Sequence, residues 1–207
     1  MTLPSPHLLH DDRSAPPQVR PIVAFQGETG AFSEAAAEQL VPGPVTLLPC
    51  RSFDSVVRAV VDGYADFAVM PVHNVIYGIV HTALDAMAPF ASLERLGEIV
   101  LPIRLSLLGL PGATVDGVRE VLSHPVALGQ CGRFLAEHAS IIPVEAYDTA
   151  GAARMVAVRR DPSVAAIAAP WAAKHYRLAV IADGLEDRAD NATTFVLVRR
   201  RPTIQPQ

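Results

Sequence analysis

The chain is predicted to fold as an α/β protein in two lobes with a cleft between them. Three observations carry this expectation. Short apolar runs alternate with helical stretches along the whole body of the chain. The alternation comes in two series, divided near position 104. One more β-type run, Thr194 to Val198, is left at the end and must pair somewhere. If it returns to the first series, the chain crosses between lobes twice and leaves an inter-lobe cleft, the kind of place ligands favour. The expected lobes are 21–103 plus 185–201, and 104–184.

In the first series Ile22 to Phe25 reads as a buried strand. Ser33 to Leu40, rich in Ala and Glu with Ser33 placed to cap it, reads as the helix behind. Val45 to Leu48 and Phe53 to Asp62 repeat the unit, with Ser52 at the second helix cap, and Phe67 to Met70 adds a strand. Such alternation predicts a mostly parallel sheet. In the second series Leu105 to Leu110 reads as a strand, Val115 to Val121 as a short helix, Val126 to Leu128 as a strand edge and Gly132 to Ala139 as a helix. Val144 to Tyr147, the helix Ala150 to Arg159, the strand Ala165 to Ala168 and the helix Trp171 to Tyr176 complete it. The two series are compatible with variants of one βαβ plan, although no short-period repeat requires it.

Composition removes several function classes. At 207 residues folding buries roughly 70% of the unfolded surface, and with half the residues apolar the chain is globular rather than disordered. A net charge of -4 argues against a nucleic-acid partner, because phosphate binding needs clustered Lys and Arg. The one basic triplet, Arg199 to Arg201, follows an apolar run and reads as a solvated strand end. Cys50 and Cys131 are too few for a disulfide framework, and no Cys or His spacing suits a metal, His73 and His81 being eight apart, so a reducing cytoplasm and no metal are expected. The first twenty residues hold four prolines and no long apolar stretch. They are expected to be a flexible tail, neither signal peptide nor membrane anchor. Residues 202–207 are expected to be a second tail, leaving 21–201 as the folded body. No nucleophile elbow, Walker loop, His-Glu-x-x-His or Gly-x-Gly-x-x-Gly occurs, so no cofactor is expected.

Five segments bear on chemistry. Gln26-Gly27-Glu28-Thr29-Gly30-Ala31-Phe32-Ser33 is a Gly-rich strand-to-helix turn, whose amides suit an anion. Pro71-Val72-His73-Asn74-Val75-Ile76-Tyr77-Gly78-Ile79-Val80 and Ser123-His124-Pro125-Val126-Ala127-Leu128-Gly129-Gln130-Cys131 follow. Then come Tyr147-Asp148-Thr149-Ala150-Gly151-Ala152-Ala153 and, with Asp187 just upstream, Asn191-Ala192-Thr193-Thr194-Phe195. In this order they resemble the prephenate dehydratase family, whose patterns at these points are Pro-Ile-Glu-Asn-Ser-x-x-Gly-x-Val, Ser-His-Pro-x-Ala-Leu-x-Gln-Cys, Thr-Ala-Gly-Ala-Ala and Asn-x-Thr-Arg-Phe. The resemblance spans Phe25 to Phe195. The chain departs from it at His73, Val75 and Thr194, where the family has Glu, Ser and Arg.

The resemblance implies a periplasmic-binding-protein-like arrangement of the two lobes, a homodimer, and loss of carbon dioxide and water from prephenate to give phenylpyruvate. Aromatisation drives that reaction, so an enzyme has only to orient two carboxylates and help a hydroxyl leave. Thr193 then holds the position of the catalytic hydroxyl. Asn74, Ser123, Gln130, Thr149, Thr29 and Thr194 are the expected substrate-binding residues, although Thr149 also suits a plain helix cap. Losing a buried cation partner costs about 2–5 kcal/mol. His73, whose imidazole ordinarily titrates near 6.5, is therefore expected to replace the missing arginine as a cation or proton donor. Two alternatives stay open: a non-aromatising prephenate decarboxylase of a specialised pathway, which keeps the ring hydroxyl, and a non-catalytic binder of a small dicarboxylate. Family members typically continue into a regulatory domain that binds an aromatic amino acid. This sequence stops at Gln207, so phenylalanine feedback by that route is not expected.

Overall fold

The computed structural model describes residues 20–202. The tails expected at 1–20 and 202–207 lie outside the described residues except for Arg20 and Pro202. Two sheets form the scaffold. In the first, β1 (Ile22–Gln26), β2 (Thr46–Cys50) and β3 (Phe67–Asn74) make a parallel trio. It is extended by β11 (Ala192–Arg200), antiparallel to β3, and then by β5 (Leu93–Pro102), antiparallel to β11. A two-residue strand, β4 (Gly78–Ile79), folds back on β3.

The second sheet repeats the plan. β7 (Glu120–Ser123), β8 (Ile142–Glu145) and β9 (Val164–Ala168) are the parallel trio, and β6 (Ser106–Gly109) then β10 (Ala179–Ala182) extend it antiparallel. The orders β2-β1-β3-β11-β5 and β8-β7-β9-β6-β10 correspond strand for strand. Each fourth strand is reached through a crossover: β6 directly follows β5 of the first sheet, and β11 directly follows β10 of the second. The final strand thus returns to the first sheet. Both sheets are mixed rather than mostly parallel, because these crossing strands enter against the trio.

Alternation along the strands builds a core on each face of each sheet. In the first sheet Val23, Val69, Phe195 and Leu197 pack with α1 (Phe32–Leu40). Ala24, Met70, Val196 and Val198 meet α2 (Phe53–Val61) and α3 (His81–Met87) on the other face. In the second sheet Leu107, Val121 and Ile167 lie on the side of α4 (Pro125–Gly129) and α5 (Gly132–Glu137). Leu108, Leu122 and Ala166 lie on that of α6 (Thr149–Arg159) and α7 (Ala172–Tyr176).

Four local expectations are corrected. Val115 to Val121 is not a helix: a 3-10 turn, Val115–Gly117, leads into β7, where the β-branched and buried Val121 suits a central strand. Val126 to Leu128 is helical, not a strand edge. His124 accepts a hydrogen bond from Val126 N and Pro125 takes the first helical position, so α4 has a complete start signal. Ser33 is not the cap of α1, which begins after Ala31; Glu34 reaches back to Gly30 N instead. Strands β5 and β10 and helix α3 had no counterpart in the sequence reading. Ser52 does cap α2, in a reciprocal pair with Ser55.

The lobes touch across the cleft. Phe32 meets Trp171 edge-on at 5.2 Å, Tyr176 Oη donates to Thr29 O at 2.7 Å, and Tyr147 Oη donates to Glu28 Oε1 at 2.6 Å. Gly30 lies against Ala172 at a positive φ of 93°, where a Cβ would stand 3.2 Å from Ala172 Cα and crowd it.

Candidate active site

The cleft of about 750 Å³ opens where the carboxyl ends of β1 and β3 and the start of β11 face the ends of β7 and β8. Ligand sites in α/β folds favour such strand ends. Thr193 is at its floor on the first-lobe side, 8% exposed. Across the β3–β11 pair stands Asn74, whose Nδ2 donates to Thr193 Oγ1 at 2.9 Å and to Asn191 Oδ1 at 3.0 Å. Asn74 Oδ1 accepts from Ile76 N and Tyr77 N, tying the same side chain to the turn into β4. Because the Thr193 oxygen accepts from Asn74, its own proton is left to donate into the cleft.

From the second lobe come Gln130 and Thr149. Gln130 is buried, 6% exposed, and its side-chain amide makes no hydrogen bond among the described residues. Thr149 opens α6, whose first amides carry the partial positive charge of a helix start. The starts of α2 and α3 also border the cleft, through Arg51 to Asp54 and Val80 to Thr82. Arg51, an exposed cation, and the exposed His81 stand at this rim. Apolar walls from Phe32, Ile103, Leu105, Val126 and Phe195 complete a surface suited to a hydrophobic ring.

Of the expected site residues, the structure therefore brings together Thr193, Asn74, Gln130 and Thr149. It places four elsewhere. His73 and Thr194 are register partners that line no part of the cleft; strand alternation turns Thr194 to the face opposite Thr193, and a bulge in the β3–β11 ladder accompanies the change. His73 is exposed there. Ser123 is fully buried and donates its hydroxyl to Ile167 O at 2.6 Å inside the second sheet. Thr29 meets the opposite lobe through its carbonyl and does not line the cleft. Asp187, which closed the sequence pattern, accepts from Gly132 N and Arg133 N and so caps α5. A cleft role for His73, Ser123, Thr29 and Thr194 has no geometric support.

The sequence reading missed Arg51, His81, His124, Asp148 and Ser33 as cleft residues. Arg51 carried a usable signal, since it immediately precedes a capping serine and so stands beside a helix start. His124 caps α4 through Nδ1, and burial pushes its imidazole below the usual histidine range despite the opposing influence of Asp148 and Glu145. Asp148 caps α6, with Oδ1 accepting from Gly151 N at 2.6 Å. Burial pushes its carboxyl above the ordinary carboxylate range, outweighing that hydrogen bond.

These features define a two-lobed α/β protein with a ligand cleft of oriented neutral groups and helix starts. Comparison with known proteins agrees. Residues 23–203 match the family profile described as Prephenate dehydratase. Arogenate dehydratase/prephenate dehydratase 2, chloroplastic, from Arabidopsis thaliana is 38% identical over 182 residues, 88% of this chain and 47% of that protein. A bifunctional N-acyl-homoserine lactone acylase/prephenate dehydratase from Komagataeibacter europaeus is 37% identical over 185 residues, 89% of this chain and 65% of that protein. The structure of a prephenate dehydratase from Arthrobacter aurescens in complex with L-Phe aligns with a TM-score of 0.80 at 32% identity, over 90% of this chain and 62% of that one. The chain belongs to the prephenate dehydratase family. It spans 47% and 65% of the length of the two relatives.

Proposed function

We propose that the chain is a lyase that decarboxylates and dehydrates a cyclohexadienol dicarboxylate of the prephenate class. One observation carries this reading: a threonine hydroxyl, oriented by Asn74, is presented in a cleft whose facing wall offers the free amide of Gln130 and the hydroxyl of Thr149. As the ring C–CO2 bond breaks, its electron pair enters the ring and expels the hydroxyl from the opposite carbon. The departing oxygen takes a proton and leaves as water. Thr193 is a weak acid, so its part is to hydrogen-bond that oxygen as negative charge develops, assistance worth on the order of 10²–10⁴ in rate. Gln130, Thr149 and the start of α2 hold the carboxylates, with Arg51 as a cation at the rim of the cleft.

The alternative that keeps the ring hydroxyl drew on the exchanges at His73, Val75 and Thr194. With none of the three lining the cleft, retention of Thr193 outweighs them. A homodimer in the cytoplasm, with the first lobe (21–103 plus 185–201) closing on the second (104–184), belongs to the same reading. The test is product analysis by mass spectrometry after incubation with prephenate and, separately, with arogenate. Loss of both carbon dioxide and water is the expected result. Loss of carbon dioxide alone identifies the decarboxylase, and recovery of both compounds unchanged identifies a binder.

A further inference from the structure

Among the described residues two buried side-chain polar atoms have no hydrogen-bond partner, Asp148 Oδ2 and Asn191 Nδ2, and Asp148 is the one of these two residues that lines the cleft. Asp148 is 7% exposed. Capping α6 requires only Oδ1, and Asn or Ser caps a helix equally well without burying a charge. The second oxygen therefore carries a desolvation cost that the helix does not explain. It lies at the seam between lobes: a methyl built on Gly27, whose φ is +115°, would stand 4.0 Å from it.

Among the described residues its ionisable neighbours offset it only weakly. His124, the imidazole nearest in effect, is kept toward its neutral form by burial. Glu28, across the seam, is itself an anion, and Arg154 is engaged with Glu28 and Tyr147. Tyr147 donates to Glu28 and Tyr176 to Thr29 O, so neither phenol is directed at Asp148. A cation carried by a ligand supplies the partner that this oxygen lacks. Next in sequence is Thr149, whose cleft-lining hydroxyl stands at the positive start of α6.

We propose that Asp148 is a specificity residue: its free carboxylate oxygen receives the ammonium of a substrate carrying an amino-acid side arm, arogenate, in preference to the 2-oxo compound prephenate. The hydroxyl of the neighbouring Thr149 takes the carboxylate on the same carbon, so that an Asp–Thr pair reads a zwitterion. A 2-oxo arm brings a carbonyl oxygen to a carboxylate oxygen and gains nothing there. The product of the preferred reaction is then an aromatic amino acid rather than an aromatic 2-oxo acid. This inference rests on the lyase reading above.

The test compares kcat/KM for arogenate and for prephenate in the wild-type protein and in Asp148→Asn, which keeps the cap and size and removes the charge. The wild type is expected to favour arogenate. In the variant the arogenate-to-prephenate ratio of kcat/KM is expected to fall about 30-fold or more, the scale of losing one buried charge partner. Asp148→Ser, which also caps, is expected to give the same shift and covers the case in which the asparagine variant does not fold. An unchanged ratio, with both substrates slowed alike, shows that Asp148 is only a helix cap and overturns the inference. A wild type that converts prephenate but not arogenate overturns it while leaving the lyase reading intact. A wild type that converts neither removes both.

Discussion

Thr193 gains its meaning from its neighbours. A free threonine hydroxyl is an indifferent donor, but here Asn74 occupies its oxygen and fixes its direction, while Asn74 is itself held by two turn amides. Replacing Thr193 with Ala is expected to lower kcat by about 10²–10⁴ with little change in the thermal midpoint, whereas Thr193→Ser keeps most of the rate. Stopped-flow product assays with circular dichroism on the same samples check both halves of that statement. Arg51→Ala is expected to raise KM for the dicarboxylate by about three- to tenfold, with the difference shrinking at high salt because the cation is exposed. Steady-state kinetics at two ionic strengths measure it. Thr193, Asn74, Gln130 and Thr149 were legible as cleft-lining residues because their motifs fall at strand ends and at the ends of helices. His73 and Thr194 were not separable from them by motif. Side chains one position apart on a strand face opposite ways, and neighbouring letters do not say which way is inward.

At the scale of elements, local chemistry decided the helices and long-range pairing decided the strands. Ser52 was readable as the cap of α2 and forms the reciprocal bond with Ser55. Ser52→Ala is expected to cost about 1 kcal/mol, lowering the melting midpoint by about 2–4 °C, and to raise KM because Ser52 lines the cleft at the start of α2. Differential scanning calorimetry beside an activity assay decides that. The same logic applied to His124 and Pro125 would have given α4, had the cap been weighed above the apolar run behind it. Strand β5 escaped notice because its faces alternate poorly, with Gly97 in the middle and Arg95 and Glu98 exposed. It is a strand because β11 supplies a nine-residue register for it. A central strand arriving from far along the chain can impose an extended conformation on a segment with little tendency of its own.

The whole molecule is two copies of one strand plan that exchange their fourth strands, and the cleft exists because of that exchange. Thr193 reaches the site on β11, more than one hundred residues after its partner Asn74 on β3. Closure depends on close backbone approach: at Gly30 a Cβ would come to 3.2 Å from Ala172 Cα, and φ is positive. Gly30→Ala is expected to destabilise the fold by about 1–3 kcal/mol and to raise KM for either substrate, since the lobes must part to admit the methyl. Denaturant unfolding and kinetics on one preparation test the coupling. An unaltered KM in a destabilised variant shows that lobe contact at this point does not shape the site.

By itself the sequence determined the fold class, the family, the return of the last strand as a possibility, and four of the neutral hydrogen-bonding residues that line the cleft. Each of these is written in local periodicity, caps and motif spacing. Only the tertiary structure decided which motif residues face the cleft, that Arg51 and His81 stand at its rim, and that Asp148 holds an unmatched oxygen in the seam. Those outcomes depend on burial and on which group stands opposite, and both are properties of segments brought together from distant parts of the chain.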